Sequence, residues 1–333
     1  MVMAIRLHKP GGPEVLCYEQ VSVGEPGPGE ARVGHAAIGL NYVDTYLRDG
    51  TGAYGDTDKP YPLEYPAILG FEAAGTVEAV GPGVSTVVPG DRIAYAAPPM
   101  GAYAAARLIP AEVLVKLPDD IDFEIAAAAM LKGLTAEYLL RRCYPVKPGE
   151  SILIHAAAGG CGLIMSQWAR RLGAVVIGTV SSAEKAALAL AHGCHHVIDY
   201  SREDFPARVR ALTDGAGVAA VYDGVGRATF MGSLDCLAPR GHMVLFGQPS
   251  GPVEPLHLNA LTERGSLFLT RPTLMTCIAK RDELVEAATA LFKVIRSGDV
   301  RIEVRHRFAL ADAADAHRAL QGRRTTGSSV LLP

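Results

Sequence analysis

The sequence predicts a two-domain α/β chain in which a doubly wound parallel sheet is inserted into a discontinuous, β-rich domain. Three observations carry this. Between residues 151 and 247 short apolar runs alternate regularly with helical stretches. The first of these runs leads into a glycine turn that opens a helix, ILIHAAAGGCGLIMSQWARRLG at 152–173. The first third and the tail consist instead of short β-like runs broken by glycine and proline.

The elements follow in order. ARVGHAAIGLN (31–41), AAGTVEAVG (73–81) and DRIAYAAP (91–98) are apolar runs separated by the turns PGPGE, GPGV and VPGD, which suggests a mostly antiparallel β domain. Residues 122–142 combine strong helix formers with an apolar stripe, interrupted by Gly133. The strand-like runs that follow are 151–156, 174–180, 195–200, 218–225 and 242–247, with helices at 160–172, 182–192, 204–213 and 227–238 between them. These runs are short and almost continuously apolar, as strands are when both sheet faces are covered. SLFLTRP (266–272) reads as a sixth strand. A helix at 280–297, the run RIEVRHRFAL, a helix at 311–321 and a final strand SSVLLP complete the chain and resemble the first domain. The expected division is therefore 1–124 with 270–333 as one discontinuous domain and 125–269 as the other.

Composition removes several function classes. A net charge of −3 gives no global field to attract nucleic acid or an anionic membrane. No apolar run approaches the roughly 18 residues that span a bilayer, and MVMAIRLHKPGGPE lacks a signal-peptide pattern. The six cysteines form no C-x-x-C pair or metal-binding cluster, so free thiols in a reducing, cytoplasmic setting are expected.

The glycine turn has the strand-then-helix context that a dinucleotide fingerprint needs. Gly159 lets backbone approach a pyrophosphate, Gly162 allows close helix–strand packing, and the helix start offers N–H groups to phosphates. Ala157 replaces the usual first glycine, which is tolerable if its φ stays negative. At the end of the second strand, an acidic residue would bind a ribose 2′-hydroxyl. GTVSSAEKA offers Ser181, Ser182 and Lys185 instead, which suits a 2′-phosphate and hence NADPH. Lys185 on a solvated helix face is the competing reading.

With AAAGGCG, NYVDTYLRDG and GTVSSAEKA together, the sequence resembles the zeta-crystallin-like, zinc-free branch of the medium-chain dehydrogenase/reductases, the NADPH-dependent quinone oxidoreductases. LKGLTAEYLLR, VYDGVG, GSLDCL, GSLFLTRP and TGSSVLLP fit the same family, so the resemblance spans the whole chain. It implies a GroES-like catalytic domain, a Rossmann domain, a cleft between them and a homodimer. Zinc-dependent relatives carry Cys and His where this chain has Asn41 and Phe71, and neither amide nor phenyl replaces a thiolate or imidazole on zinc. Glu72 alone makes no site, so no metal is expected.

Carried over residue by residue, the resemblance lays the cofactor phosphates on Gly159, Gly160, Cys161 and Gly162. Lys185 and Tyr200, with Ser181 nearby, hold the 2′-phosphate, and Arg323 or the adjacent Arg324 closes over it. Asn41, Thr135, Phe246, Gly247 and Gln248 surround the nicotinamide. Asn41, Tyr46 and Tyr54 face the quinone. Gly224 stands where relatives often have serine. The bland alternatives are a turn cap for Asn41, an ordinary half-buried aromatic for Tyr46 and a loop residue for Tyr54; Asp44 and Arg48 read as a structural ion pair. His155 is expected to bond locally. Three activities follow: reduction of a quinone, reduction of an enone or alkene with a tyrosine as proton donor, and a non-catalytic NADPH- and RNA-binding role. No basic stripe supports the last, so no nucleic-acid partner is expected.

Overall fold

The computed structural model describes residues 1–50 and 63–333. Contacts divide the chain into two units: Met1–Leu134 with Ile278–Phe292 and Ile302–Pro333, and Thr135–Cys277 with Lys293–Arg301.

The first unit begins with β1 (Val2–Leu7) antiparallel to β2 (Leu16–Val21). β3 (Glu30–Leu40) organises the main sheet and leads into α1 (Tyr42–Asp49). β4 (Ala67–Ile68), β5 (Glu72–Val80), β6 (Arg92–Ala96), β7 (Ala106–Pro110) and β8 (Val115–Lys116) follow, then α2 (Phe123–Tyr138). β3 pairs antiparallel with both β5 and β7, and its register with β5 slips between Arg32 and Val33 and between His35 and Ala37. Such bulges bend a sheet. The crossing is so close that a Cβ on Gly75 would sit 2.0 Å from the Gly34 carbonyl oxygen. Val33, Ala37, Ile38 and Leu40 bury one stretch of β3 in the core. α1 stops where Gly50 turns into the left-handed region at φ 71° and bonds back to the Tyr46 carbonyl.

The second unit alternates strand and helix: β9 (Ser151–Ile154), α3 (Gly160–Arg171), β10 (Val175–Val180), α4 (Ala183–Ala191), β11 (His196–Asp199), α5 (Phe205–Leu212), β12 (Val218–Asp223), α6 (Phe230–Cys236), β13 (Leu237–Leu245), α7 (Asn259–Glu263), β14 (Phe268–Thr270) and α8 (Leu274–Cys277). Among the described residues the strands lie in the order β11-β10-β9-β12-β13-β14, all parallel. This is the doubly wound order of a dinucleotide-binding sheet, with its switch point between β9 and β12. Leu153, Ile177, Ile198, Val221, Phe230 and Leu234 form part of its core, each burial contributing about 1.5–3 kcal/mol. Side-chain caps start α4 at Ser182 and α5 at Asp204. The helix expected over 227–238 is shorter, because Leu237 is already extended at ψ 142° and begins β13.

The tail comprises α9 (Arg281–Arg296), β15 (Val304–Ala309), α10 (Ala313–Gln321) and β16 (Ser328–Leu332). β16 runs antiparallel to β3 and parallel to β15, so the chain end completes a sheet begun near residue 30. No described helix is long and apolar enough to cross a membrane. None of the six cysteines is in a disulfide.

Candidate active site

In the second unit, the turn after β9 is built for close backbone approach. Ala157 keeps a negative φ; the left-handed residue is the preceding Ala156, at φ 52°. Gly159 is the N-cap of α3, extended at φ −78° and ψ 167°, and brings no capping side chain to the first-turn N–H groups of Gly160, Cys161 and Gly162. Those donors and the positive end of the helix dipole suit a pyrophosphate. A Cβ on Gly162 would lie 2.4 Å from the Ala156 carbonyl oxygen, so this glycine is required by helix–turn packing.

At the end of β10, Lys185 Nζ donates to Ser181 Oγ at 3.4 Å, and the Lys185 backbone N–H bonds to Ser182 Oγ at 3.3 Å. The Tyr200 N–H bonds to the Val180 carbonyl at 3.1 Å, which brings Tyr200 beside Ser181. Glu184 is exposed. Asp199, the register partner of Val180, turns its carboxylate onto the Ser201 hydroxyl at 2.6 Å and N–H at 3.1 Å. An ammonium and two hydroxyls without an inward carboxylate fit a 2′-phosphate better than a free ribose hydroxyl.

The loops after β12 and β13 meet at the same sheet edge. The Phe246 N–H bonds to the Asp223 carbonyl at 2.9 Å. A Cβ on Gly224 would lie 2.8 Å from the Phe246 ring, and one on Gly247 would lie 2.5 Å from the Gly224 oxygen. That packing explains why serine is absent at 224. Gln248 Oε1 accepts from Arg271 at 2.6 Å, while its buried Nε2 has no partner, an orphan donor of the kind a bound carboxamide or ribose would satisfy. Thr135, on α2, is 8% exposed.

Behind the turn lies a buried polar chain. His155 bonds to Thr179 Oγ1 at 2.8 Å and to Ser233 Oγ at 2.9 Å, and Ser233 donates to Asp223 at 2.9 Å. Asp223 also accepts from the Thr229 hydroxyl and the Val225 and Gly226 N–H groups. Burial lowers the His155 pKa, and its bonds are local, as expected.

In the first unit, Asn41 heads α1 in extended conformation, φ −128° and ψ 152°. Its N–H donates to Asp44 Oδ2 at 2.9 Å and its Nδ2 to Glu72 Oε2 at 2.7 Å. Glu72 is fully buried; it also accepts from the Leu131 N–H at 2.6 Å and Lys132 Nζ at 3.4 Å. Tyr46 is half-buried, its ring edge-on to Tyr42 at 5.2 Å. Tyr54 lies outside the described residues. Arg323 follows α10 and is exposed, with φ 56°.

The Asp44–Arg48 ion pair is a correction. Asp44 Oδ2 receives the Tyr103 hydroxyl at 3.0 Å; Tyr103 contacts His317 Nε2 at 3.1 Å; His317 Nδ1 meets Arg48 at 3.1 Å. Arg48 pairs with Asp49 at 3.6 Å. Two buried rings thus separate the charges that sequence spacing alone put together. Desolvation pushes the Asp44 carboxyl up to about 7. His8, Cys17 and Glu19 also come within 4.8 Å of one another on the β1–β2 hairpin, with Arg6 on the same carboxylate at 3.3 Å. The sequence hid this grouping because a hairpin register creates it.

Residues 27–119 match the family described as alcohol dehydrogenase GroES-like domain, and residues 160–293 the family described as zinc-binding dehydrogenase. The quinone oxidoreductase of Pseudomonas aeruginosa is 53% identical over the full length of both chains. The 2-haloacrylate reductase of a Burkholderia species is 49% identical, covering 100% of this chain and 99% of that one. The structure of the Escherichia coli quinone oxidoreductase complexed with NADPH superposes with a TM-score of 0.95 at 47% identity, over 99% of this chain and 100% of that one.

Proposed function

The chain belongs to the quinone oxidoreductase family of the medium-chain dehydrogenase/reductases, and on that premise we propose how its residues divide the work. It is an NADPH-dependent enzyme that reduces a quinone. When bound, NADPH supplies a hydride from its nicotinamide ring. The observation that carries the activity is full-length identity of 53% to a quinone oxidoreductase, and the Lys185 ammonium held 3.4 Å from the Ser181 hydroxyl supports a 2′-phosphate on the cofactor.

In this reading residues 125–269 carry the cofactor, and residues 1–124 with 270–333 carry the substrate. Gly159, Gly160, Cys161 and Gly162 hold the pyrophosphate through backbone N–H groups. Ser181, Lys185 and Tyr200 hold the 2′-phosphate, with Arg323 able to add a bidentate contact. Thr135, Phe246, Gly247 and Gln248 orient the nicotinamide. Asn41 and Tyr46 face the quinone and stabilise the negative charge that develops on its oxygen. Tyr54, outside the described residues, is the third proposed substrate contact. The proton comes from water or a nearby hydroxyl. Hydride acceptance by an electrophilic quinone needs no Lewis acid, and the residues support metal-free chemistry: Asn41 Nδ2 is engaged by Glu72, and Phe71 is a buried phenyl.

A second reading has its own support. The 49% identity to a 2-haloacrylate reductase favours hydride addition to an activated C=C bond, with Tyr46 as proton donor. Turnover of a panel of quinones against 2-haloacrylates and simple enones separates the two. Faster kcat/KM on quinones supports the first; preference for the alkenes replaces it with the second.

Association into a homodimer completes the reading. β14 is an edge strand whose Phe268 is 55% exposed and Leu269 39% exposed. Its unpaired backbone groups suit a second copy of itself across a twofold axis. Cytoplasmic residence is proposed because none of the six cysteines is in a disulfide. Sedimentation with Phe268→Lys tests the dimer: the variant is expected to run as a monomer.

A further inference from the structure

We propose that Glu72 is a positioning residue that fixes the orientation of the Asn41 carboxamide, with Lys132 as its buried counter-charge. The proposal rests on Asn41 as the amide that meets the substrate, and adds to it a residue that the mechanism does not use.

The geometry leaves the amide one orientation. A carboxylate only accepts hydrogen bonds, so Asn41 must turn Nδ2, not Oδ1, toward Glu72 Oε2, 2.7 Å away. The other end of Asn41 is held by its N–H bond to Asp44 at 2.9 Å. The carbonyl oxygen therefore faces away from Glu72, toward the Asp44 backbone of the capping box at the head of α1, and the second N–H is left for the substrate. Glu72 is itself anchored: Oε1 takes the Leu131 N–H at 2.6 Å, and Oε2 takes Lys132 Nζ at 3.4 Å. Glu72 is 0% exposed and Lys132 9%, so the carboxylate has left water and is compensated by the Lys132 ammonium together with the Leu131 N–H and the Asn41 amide.

The fold also makes room for this carboxylate. A Cβ on Gly39 would lie 2.1 Å from Glu72 Oε2 and 2.3 Å from the Ala127 carbonyl oxygen. β3 therefore admits only glycine opposite the acid. A buried ion pair is expensive to build and is weak evidence for stability. Its bond to the one amide at the head of α1 gives it a directional role that a hydrophobic pair could not fill.

Glu72→Gln keeps the size and removes that direction. Its Oε1 is claimed by the Leu131 N–H, so its Nε2 faces Asn41 and donor meets donor. The Asn41 amide then turns over and presents the wrong group to the substrate. The experiment is a double-mutant cycle in the full-length enzyme with wild type, Asn41→Ala, Glu72→Gln and the double variant, read as kcat/KM for a quinone and as calorimetric quinone affinity. Glu72→Gln is expected to lose about tenfold or more. The double variant is expected to be no slower than Asn41→Ala alone. The ratio of NADPH to NADH preference, set by Ser181 and Lys185, stays unchanged. Additive losses, or a Glu72→Gln enzyme equal to wild type, overturn the proposal. Should Glu72→Gln fail to fold, Lys132→Met takes its place in the cycle, and additivity there overturns the proposal equally. A wild type that binds quinone but does not reduce it refutes the activity and not the positioning, because the affinity cycle still decides the latter.

Discussion

Arg323 holds φ 56°, a region that costs a side chain about 1–2 kcal/mol relative to glycine. The strain at the end of α10 makes sense if the guanidinium serves the 2′-phosphate. Arg323→Gly is expected to leave thermal stability unchanged or raised by up to about 1 kcal/mol while weakening NADPH binding. Parallel melting and binding measurements check it, and equal NADPH affinity would remove Arg323 from the site. Lys185→Ala is expected to cut the NADPH-over-NADH affinity ratio by roughly tenfold or more, the worth of a charge-assisted bond, in a competitive titration. The residues of this pocket were legible because they are local: Gly159, Gly162, Ser181 and Lys185 sit at fixed offsets from strands. Glu72 was visible but mute, since its partners Asn41, Leu131 and Lys132 lie 31, 59 and 60 positions away. A lone lysine in the apolar run AAAAMLKGLTA was the one available signal. Tyr103 and His317, separated by 214 positions, left none.

Among the elements, the alternating half was the more readable. Its strands centre on short apolar runs, and two of its helices, α4 and α5, start at the caps Ser182 and Asp204, so pattern and structure agree there. The β-rich half was legible only in outline. β3 pairs with three strands through two register slips, and its partner β16 arrives almost three hundred residues later. The glycine turn offers the sharpest test at this scale. Gly162→Ala puts a methyl 2.4 Å from the Ala156 oxygen and 2.8 Å from the Ala157 Cα, both backbone atoms that cannot swing aside. It is expected to cost about 1–3 kcal/mol in denaturant unfolding and to abolish saturable NADPH binding. A variant that binds NADPH normally would show that α3 does not need this approach.

At the scale of the molecule, buried titratable groups set the response to pH. Desolvation lowers His35 to about 4 and His317 to about 3, and lowers His155 as well. Unfolded histidine takes its proton near 6.5. The stability from these neutral rings is complete above that value and is lost as pH falls toward 4 and 3. Asp44 acts in the opposite sense: raised from 3.8 to about 7 by desolvation, it contributes stability below 3.8 that is lost as pH rises to 7. His35 and His317 together outweigh Asp44, so melting temperature should fall on acidification from 7 to 4. Asp44→Asn is expected to steepen that fall and His317→Gln to flatten it; identical slopes in all three proteins would refute the assignment.

The proposed reaction is transfer of hydride from a phosphorylated nicotinamide carrier to a quinone in this chain without a metal. Anaerobic stopped-flow loss of NADPH absorbance, with C4-deuterated and ordinary NADPH and with and without a strong chelator, tests it most directly. The loss is expected to be far faster than in buffer, slowed by deuterium and indifferent to the chelator. Loss at the rate of buffer alone, or activity that the chelator abolishes, would contradict it.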